Sequence, residues 1–256
     1  MRIVSLCPSI TETLVELGIG DGLVGRTRYC IHPKDALAEV PRVGGTKNPD
    51  LTAIRALNPD LVFCNSEENR KEDIDLLKKE FGVDVTHPRT VGEIPALVRH
   101  FGAMTGTERE SEKISLKVDR ALERVEAALR SGTGAPFRYV YLIWKDPWMT
   151  VGPRTYVADL LRRVGGSSPF EEKIFSESPS DYPSVSESEI TASSPDLLIL
   201  PDEPYRFRES DAAWWRERLP ASRVVLVPGD DFCWHGVRTL RGLEAAAALA
   251  AGFASY

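Results

Sequence analysis

Two stretches of this chain repeat one pattern, and that repetition constrains the fold more than any other feature. Ile54 to Val62 (IRALNPDLV) and Ile190 to Leu198 (ITASSPDLL) each read as a helix end, a Pro-Asp turn and a buried strand. Asp50 stands where a cap would open the first copy. Ser186 and Glu189 form an S-x-x-E capping box at the start of the second. A chain that builds the same helix–turn–strand unit twice calls for two similar lobes.

The surrounding segments agree. Ile3–Cys7, Leu23–Gly25, Asp60–Cys64 and Val83–Val85 read as short buried strands, with helices expected over Asp50–Leu57 and Asp73–Phe81. Pro8-Ser9 ends the first strand, and Ser9 or Thr11 is the expected cap of the helix that carries Leu14, Val15 and Leu17 and stops at Gly18 and Gly20. Residues 107–130 place Ile114, Val118, Ala121, Leu122, Val125, Ala128 and Leu129 at helical spacing amid dense charge, one amphipathic helix of roughly 36 Å. Ser131 to Pro136 breaks it. Strands then recur at Tyr139–Trp144, Asp196–Leu200 and Val224–Val227, with helices at Thr155–Val164 and Leu240–Ala251. The expected fold is α/β: two Rossmann-like lobes with parallel sheets joined by one long α-helix, an N-terminal lobe over 1–104, a connecting helix over 105–131 and a C-terminal lobe over 132–256.

Composition narrows the function. The 256 residues carry 32 Lys+Arg against 38 Asp+Glu, a net charge of −6, which argues against a nucleic-acid partner because backbone binding needs a basic face. The four cysteines at 7, 30, 64 and 233 are too few and too scattered for a disulfide framework or a zinc ribbon, and read as free thiols. No run approaches the ~18 apolar residues of a spanning helix. The opening Met1-Arg2-Ile3-Val4 runs straight into a strand pattern without a signal-peptide pattern, so the expected compartment is the cytoplasm as the chain is written, or the periplasm or cell surface if a signal was trimmed.

In open parallel sheets ligands bind beyond the carboxyl ends of the strands, and the chemically unusual residues gather there. Arg28, Tyr29, Cys30 and His32 follow the second strand, Glu67 and Glu68 the third, Trp144, Trp148 and Met149 the first of the second half. Glu203, Tyr205 and Arg206 follow the next, and Cys233, Trp234, His235 and Arg238 the last. Aromatic walls with a few polar anchors suit a flat, largely apolar ligand. Tyr29, Trp144, Trp148, Tyr205 and Trp234 are the expected walls. Arg28, Arg206 and Arg238 are the expected partners of phosphate or carboxylate, and Cys30, His32 and His235 the candidate metal ligands. Each has a plainer reading as well: Cys7 and Cys64 as small core residues, Cys30 and His32 as parts of a loop held by local bonds, the acid pairs Glu67-Glu68 and Asp202-Glu203 as solvated charge, and at least one of Trp214-Trp215 as packing. No catalytic residue is assigned. G-x-S-x-G and Walker motifs are missing from the sequence, and a Cys–His pair two residues apart in a loop is a poor nucleophile–base arrangement.

The sequence also resembles the class III, helical-backbone substrate-binding proteins that serve importers for cobalamin, haem and iron-siderophore complexes. The resemblance lies in Ile3 to Glu12 followed by Leu17-Gly18, in Val43-Gly44-Gly45, Asn48-Pro49-Asp50-Leu51 and Pro59-Asp60-Leu61-Val62, in the second-lobe copy around Ser186 and Pro195-Asp196-Leu197, and in the long connecting helix. It is closest to the cobalamin-binding branch, whose corrinoid contacts fall where Tyr29, Trp144 and the 230–238 loop stand. Asn65 departs from it, replacing an aromatic. The resemblance implies a non-enzymatic, monomeric binding protein that needs no cofactor of its own and holds a corrinoid or another metal chelate between its lobes. It further implies an ABC permease as partner, docked through one acid per lobe, with Glu72 and Glu187 or Glu189 near those places. A cytoplasmic metal or corrinoid chaperone or sensor on the same fold is the alternative, and a Cys-dependent enzyme the remaining one.

Overall fold

The structure is a computed structural model and describes residues 1–131, 135–171 and 180–253. The chain divides into two compact units. The first comprises Met1–Pro88, Gly92–Asp119 and Trp234–Arg238, and the second Arg89–Val91, Arg120–Cys233 and Thr239–Tyr256.

The first unit is built on four parallel strands, β1 (Ile3–Ser5), β2 (Leu23–Arg26), β3 (Leu61–Asn65) and β4 (Gly82–Thr86), in the order β2-β1-β3-β4. The helices are α1 (Pro8–Glu16), α2 (Leu51–Leu57), α3 (Lys71–Leu77) and α4 (Ile94–Thr105). Both faces of the sheet are covered, as parallel sheets require. Val4, Leu6, Val62 and Cys64 join Val43, Ile54, Ile74 and Leu77 on one side. On the other, Phe63 meets Phe101 of α4 edge to face at 5.3 Å. The chain leaves the unit along α5 (Glu108–Arg130), the long amphipathic helix expected from its spacing.

The second unit repeats the plan. Strands β5 (Phe137–Trp144), β6 (Met149–Thr150), β7 (Gly166–Ser167), β8 (Leu197–Pro201) and β9 (Arg223–Val227) form a sheet of order β6-β5-β8-β9, with β7 also paired to β5. The β5/β6 hairpin is antiparallel, and the β5/β7, β5/β8 and β8/β9 pairs are parallel. Its helices are α6 (Tyr156–Arg162), α7 (Glu187–Ser193), α8 (Glu209–Arg218), α9 (Asp230–Cys233) and α10 (Thr239–Ala251). The core gathers Val140, Leu142, Ile190, Leu198, Leu200, Phe207 and Trp215.

The repeated motif is the same object twice. Asn58 and Ser194 end α2 and α7 in the left-handed conformation, at φ 43° in both cases. The Asp60 carboxylate accepts the Arg2 N–H at 2.6 Å and the Asp196 carboxylate accepts the Arg138 N–H at 2.7 Å, 58 residues apart in each case. Each Asp thus ties the start of its strand to the start of the neighbouring one. The registers follow, Ile3 opposite Leu61 and Tyr139 opposite Leu197. Asp50 caps α2 by accepting from Thr52 and Ala53, and Ser186 and Glu189 close the capping box of α7.

Three local expectations change. The cap of α1 is neither Ser9 nor Thr11. The extended residue is Cys7, Pro8 takes the first turn, and no side chain caps the helix. Pro8, with its fixed φ, opens the helix, so Ser9 and Thr11 fall inside it rather than at its cap and their hydroxyls bond elsewhere. Helix α3 runs Lys71–Leu77 rather than Asp73–Phe81, because Arg70 is extended and the N–H groups of Glu80 and Phe81 fold back onto the Leu77 carbonyl. The sequence reading has no helix at Ile94–Thr105, a segment that holds Pro95 and Gly102. Pro95 sits in the first turn, where proline is tolerated, and Gly102 lets α4 and α5 approach so closely that a Cβ there would stand 2.0 Å from Ser111 Oγ. Of the 131–136 break, residues 132–134 lie outside the described residues.

Ile54 and Ile190 hold equivalent places under the two sheets, both fully buried. Replacing Ile190 by Ala is expected to destabilise the protein by about 2–5 kcal/mol through lost burial and the cavity left behind. Urea unfolding of the variant checks this, and a change below about 1 kcal/mol would show that the motif is not a core anchor.

Candidate functional site

Sheet order reverses between β1 and β3, since the chain goes from β1 to β2 on one side and returns to β3 on the other. The carboxyl ends flanking such a reversal are where open α/β sheets bind ligands. In the first unit these ends carry a continuous buried polar network. Thr11 Oγ1 lies 2.7 Å from Ser5 Oγ, 3.0 Å from the Cys7 carbonyl and 3.0 Å from Cys30 Sγ, and Thr27 Oγ1 lies 3.1 Å from the same sulfur. Cys7 Sγ is 3.3 Å from Ser9 Oγ, which is 3.0 Å from His235 Nε2. Asn65 Nδ2 approaches the same ring nitrogen at 3.3 Å.

Asn65 closes β3. Its Oδ1 accepts the N–H groups of Glu67 and Glu68 at 2.9 and 3.1 Å, and its own N–H is bound by Asn69 Oδ1 at 2.8 Å. Asn69 in turn donates to the carbonyls of Leu6 and Thr46, both at 3.0 Å. The 65–69 turn is thereby fixed to β1 and to the loop before α2.

His235 reaches this place because residues 234–238 are held against α1. Arg238 makes a bidentate pair with Glu12 at 2.8 and 2.7 Å, with its side chain only 2% exposed. Gly236 has φ +78°, and a Cβ there would lie 2.0 Å from Thr13 Oγ1. That hydroxyl accepts the Val237 N–H at 3.1 Å. His235 is 6% exposed, and burial, with a smaller contribution from His87, lowers its pKa to about 3, so the ring is neutral. Burial also raises the pKa of the Cys7 and Cys30 thiols, and pushes Cys64 up to about 12. Glu68 is exposed as a residue, while desolvation of its carboxyl raises its pKa, opposed by Lys47.

The loop after β2 hangs on Arg26, whose buried guanidinium donates to the carbonyls of Leu37, Thr27 and Cys30. It leaves Arg28 and Tyr29 exposed, stacked on each other at 4.9 Å. His32 is half-buried, edge-on to the buried Trp234 at 5.7 Å. Arg238 also lies over that indole, at 5.3 Å, so its guanidinium is shared by Glu12 and Trp234. Cys30 is enclosed by Thr11 and Thr27. Among the described residues no group of three or more His, Cys, Asp or Glu is arranged to hold a metal ion, so Cys30, His32 and His235 do not assemble into one centre.

In the second unit the carboxyl ends of β5 and β8 carry aromatics. Trp144 is 43% exposed and meets Tyr205 edge-on at 5.6 Å, with Met149 opposite it across the β5/β6 hairpin. Trp148 belongs to a packed group with Phe207, Trp214 and Trp215, so it supports the rim from beneath. Trp215 is the fully buried member of its pair, and Trp214 carries Arg218 stacked at 3.6 Å. Arg206 is exposed. Glu203 is half-buried, its Oε1 accepting from Cys233 Sγ at 3.4 Å. Of the acids expected to dock a permease, Glu72 is exposed in the first turn of α3, Glu187 is exposed and paired with Arg218 at 2.8 Å, and Glu189 is engaged in the cap of α7.

A family model described as periplasmic binding protein matches residues 3–211. The chain belongs to the periplasmic binding protein family. A vitamin B12-binding protein of Vibrio parahaemolyticus is 27% identical over 248 residues, covering 95% of this chain and 86% of that one. Another from Pectobacterium carotovorum is 24% identical over 93% of this chain and 84% of its own. Among solved structures, the periplasmic vitamin B12 binding protein BtuF of Vibrio cholerae superposes with a TM-score of 0.82 at 22% identity, over 96% of this chain and 95% of that one. The periplasmic heme-binding protein RhuT of Roseiflexus sp. RS-1 gives 0.81 at 22% identity over 98% of both. These likenesses establish the two-unit parallel α/β fold. Among the described residues no helix is long and apolar enough to cross a membrane.

Sequence reasoning missed Ser9, Glu12, Thr13, Asn69 and Gly236 as parts of this site. For Ser9 and Asn69 the available signal was their place a few residues beyond β1 and β3; Glu12 and Thr13, inside α1, and Gly236 carry no such local signal. As a periplasmic binding protein with a neutral buried imidazole, the chain has a definite pH response. His235 is depressed in the folded state, so unfolding takes up a proton at pH below about 6.5. The stability it confers is complete above that pH and is lost as pH falls toward 3. Between pH 7 and 5 the wild type should lose about 2 kcal/mol more than His235→Ala in urea unfolding, at ~1.4 kcal/mol per pH unit. Parallel profiles would show that the imidazole is not held neutral.

Proposed function

We propose that this periplasmic binding protein captures a corrinoid, cobalamin in the first instance, outside the cytoplasmic membrane and presents it to an ABC permease. The observation that carries the reading is the end-to-end similarity to a vitamin B12-binding protein, 27% identical over 95% of the chain. The rim chemistry supports it. Each unit offers an exposed aromatic beside a strand end, Tyr29 in the first and Trp144 in the second, suited to a broad, partly apolar ligand with amide and phosphate edges. Arg28 and Arg206 are exposed cations suited to the phosphate. Glu72 and Glu187 are the surface acids we assign to permease docking. Haem is the second reading, favoured by the equally good superposition on RhuT. The comparisons lend no support to a cytoplasmic chaperone or sensor. A Cys-dependent enzyme is opposed by thiols whose pKa values are raised rather than lowered, since the thiolate is the nucleophile.

The test is a tryptophan-fluorescence titration with hydroxocobalamin, corrected for inner-filter absorption, with haem in parallel. Saturable one-to-one quenching by the corrinoid is expected, and Trp144→Ala should weaken it about tenfold, the ~1–1.5 kcal/mol of one aromatic contact. A flat corrinoid titration with a saturable haem titration would replace the first reading by the second.

A further inference from the structure

The proton on His235 can be placed from its neighbours. Asn65 Oδ1 is engaged by two backbone N–H groups, from Glu67 and Glu68, which fixes which end of the amide is oxygen. The end 3.3 Å from His235 Nε2 is therefore the NH2 group, which only donates. Nε2 must accept, so it carries no proton. The Ser9 hydroxyl, 3.0 Å away, supplies a second donor to the same lone pair and takes in turn the Cys7 S–H. The proton of the neutral ring then resides on Nδ1. That atom is fully buried and has no hydrogen-bond partner within the protein. A buried N–H without an acceptor is destabilising, and native proteins rarely tolerate one without a use for it.

We infer that His235 Nδ1–H is a fixed hydrogen-bond donor for an acceptor oxygen of the bound ligand, an amide carbonyl or a phosphate or carboxylate oxygen, and that His235 is not a metal ligand. The inference rests on the binding reading above for the ligand, but not for the tautomer. Coordination through Nε2 would require the lone pair already held by Ser9 and Asn65. Coordination through Nδ1 would move the proton to Nε2 and set N–H against the Asn65 NH2. The imidazolium meets the same clash. Asn65 is thus a positioning residue that selects the donor form of His235. The site lies at the carboxyl ends of β1 and β3, where the sheet order reverses and a ligand is expected.

The experiment has two arms on the full chain. In the first, protein with 15N-labelled histidine is studied by long-range 1H–15N NMR without ligand, the His235 signals being assigned by their loss in His235→Asn. The neutral Nδ1–H tautomer is expected from pH 8 down to about pH 5. An Nε2–H tautomer or an imidazolium at pH 7 would overturn the inference. In the second arm, hydroxocobalamin is titrated into wild type, His235→Ala and His235→Asn, read by fluorescence and by the visible bands of the corrinoid. His235→Ala should bind about tenfold more weakly, and His235→Asn, which keeps an N–H near the place of Nδ1, within about threefold of wild type. The visible bands should be the same in all three complexes. Unaltered affinity in His235→Ala, or a band shift in wild type that His235→Ala abolishes, would overturn it. Failure of wild type to bind the corrinoid would remove the ligand reading alone, with the tautomer still decided by the first arm.

Discussion

The ion pair between Glu12 and Arg238 is the constraint on which the first unit's rim depends. It ties the first helix of the chain to a segment more than two hundred residues later, with both hydrogen bonds of the guanidinium fork under 3 Å and almost no solvent at the arginine. Removing one member of such a pair leaves the other charged and buried, typically destabilising by about 3–5 kcal/mol. The pair fixes the segment only because Gly236 allows the backbone to touch Thr13. Together they deliver His235 to the ends of β1 and β3, strands it is far from in sequence. The same pairing explains why Arg238, a candidate anion partner from its position alone, has its guanidinium already occupied.

How much of this was legible in the sequence depends on the range of the interaction. The strand–helix alternation, the long helix and the Asp50 and Ser186 caps are local events, decided within a few residues by periodicity and turn chemistry, and they stand where the pattern put them. The repeated Pro-Asp turn was visible too, but not its purpose. That Asp60 and Asp196 each bind the backbone at the start of the adjacent strand is a fact of tertiary register. The α1 cap differs because Pro8 starts the helix early enough to place Ser9 and Thr11 inside it. The α4 helix was hidden because Gly102, a breaker in isolation, answers to Ser111 on another helix.

Candidate site residues divide along the same line. Position beyond a strand end was enough to single out Tyr29, Trp144 and His235. Chemical type was not enough to say what each does there. Trp148 has the composition of a ligand wall and the surroundings of a core residue, stacked among Phe207, Trp214 and Trp215. Cys30 and His32 look like a ligand pair on paper. Folded, one sulfur faces two threonine hydroxyls and one ring faces an indole. Ser9 and Asn65, which look unremarkable, decide the state of the most deeply held histidine.

That state bears on binding versus catalysis. A catalytic histidine needs a lone pair directed at a substrate proton, and a catalytic cysteine needs a thiolate at working pH. Here the imidazole lone pair is held by two donors, and burial keeps the Cys7, Cys30 and Cys64 thiols protonated. Apart from His235 Nδ1, the groups of the network bond to one another and to backbone at Leu6, Cys7 and Thr46, which holds them in place. A rim of this kind offers a ligand fixed dipoles and exposed aromatic faces.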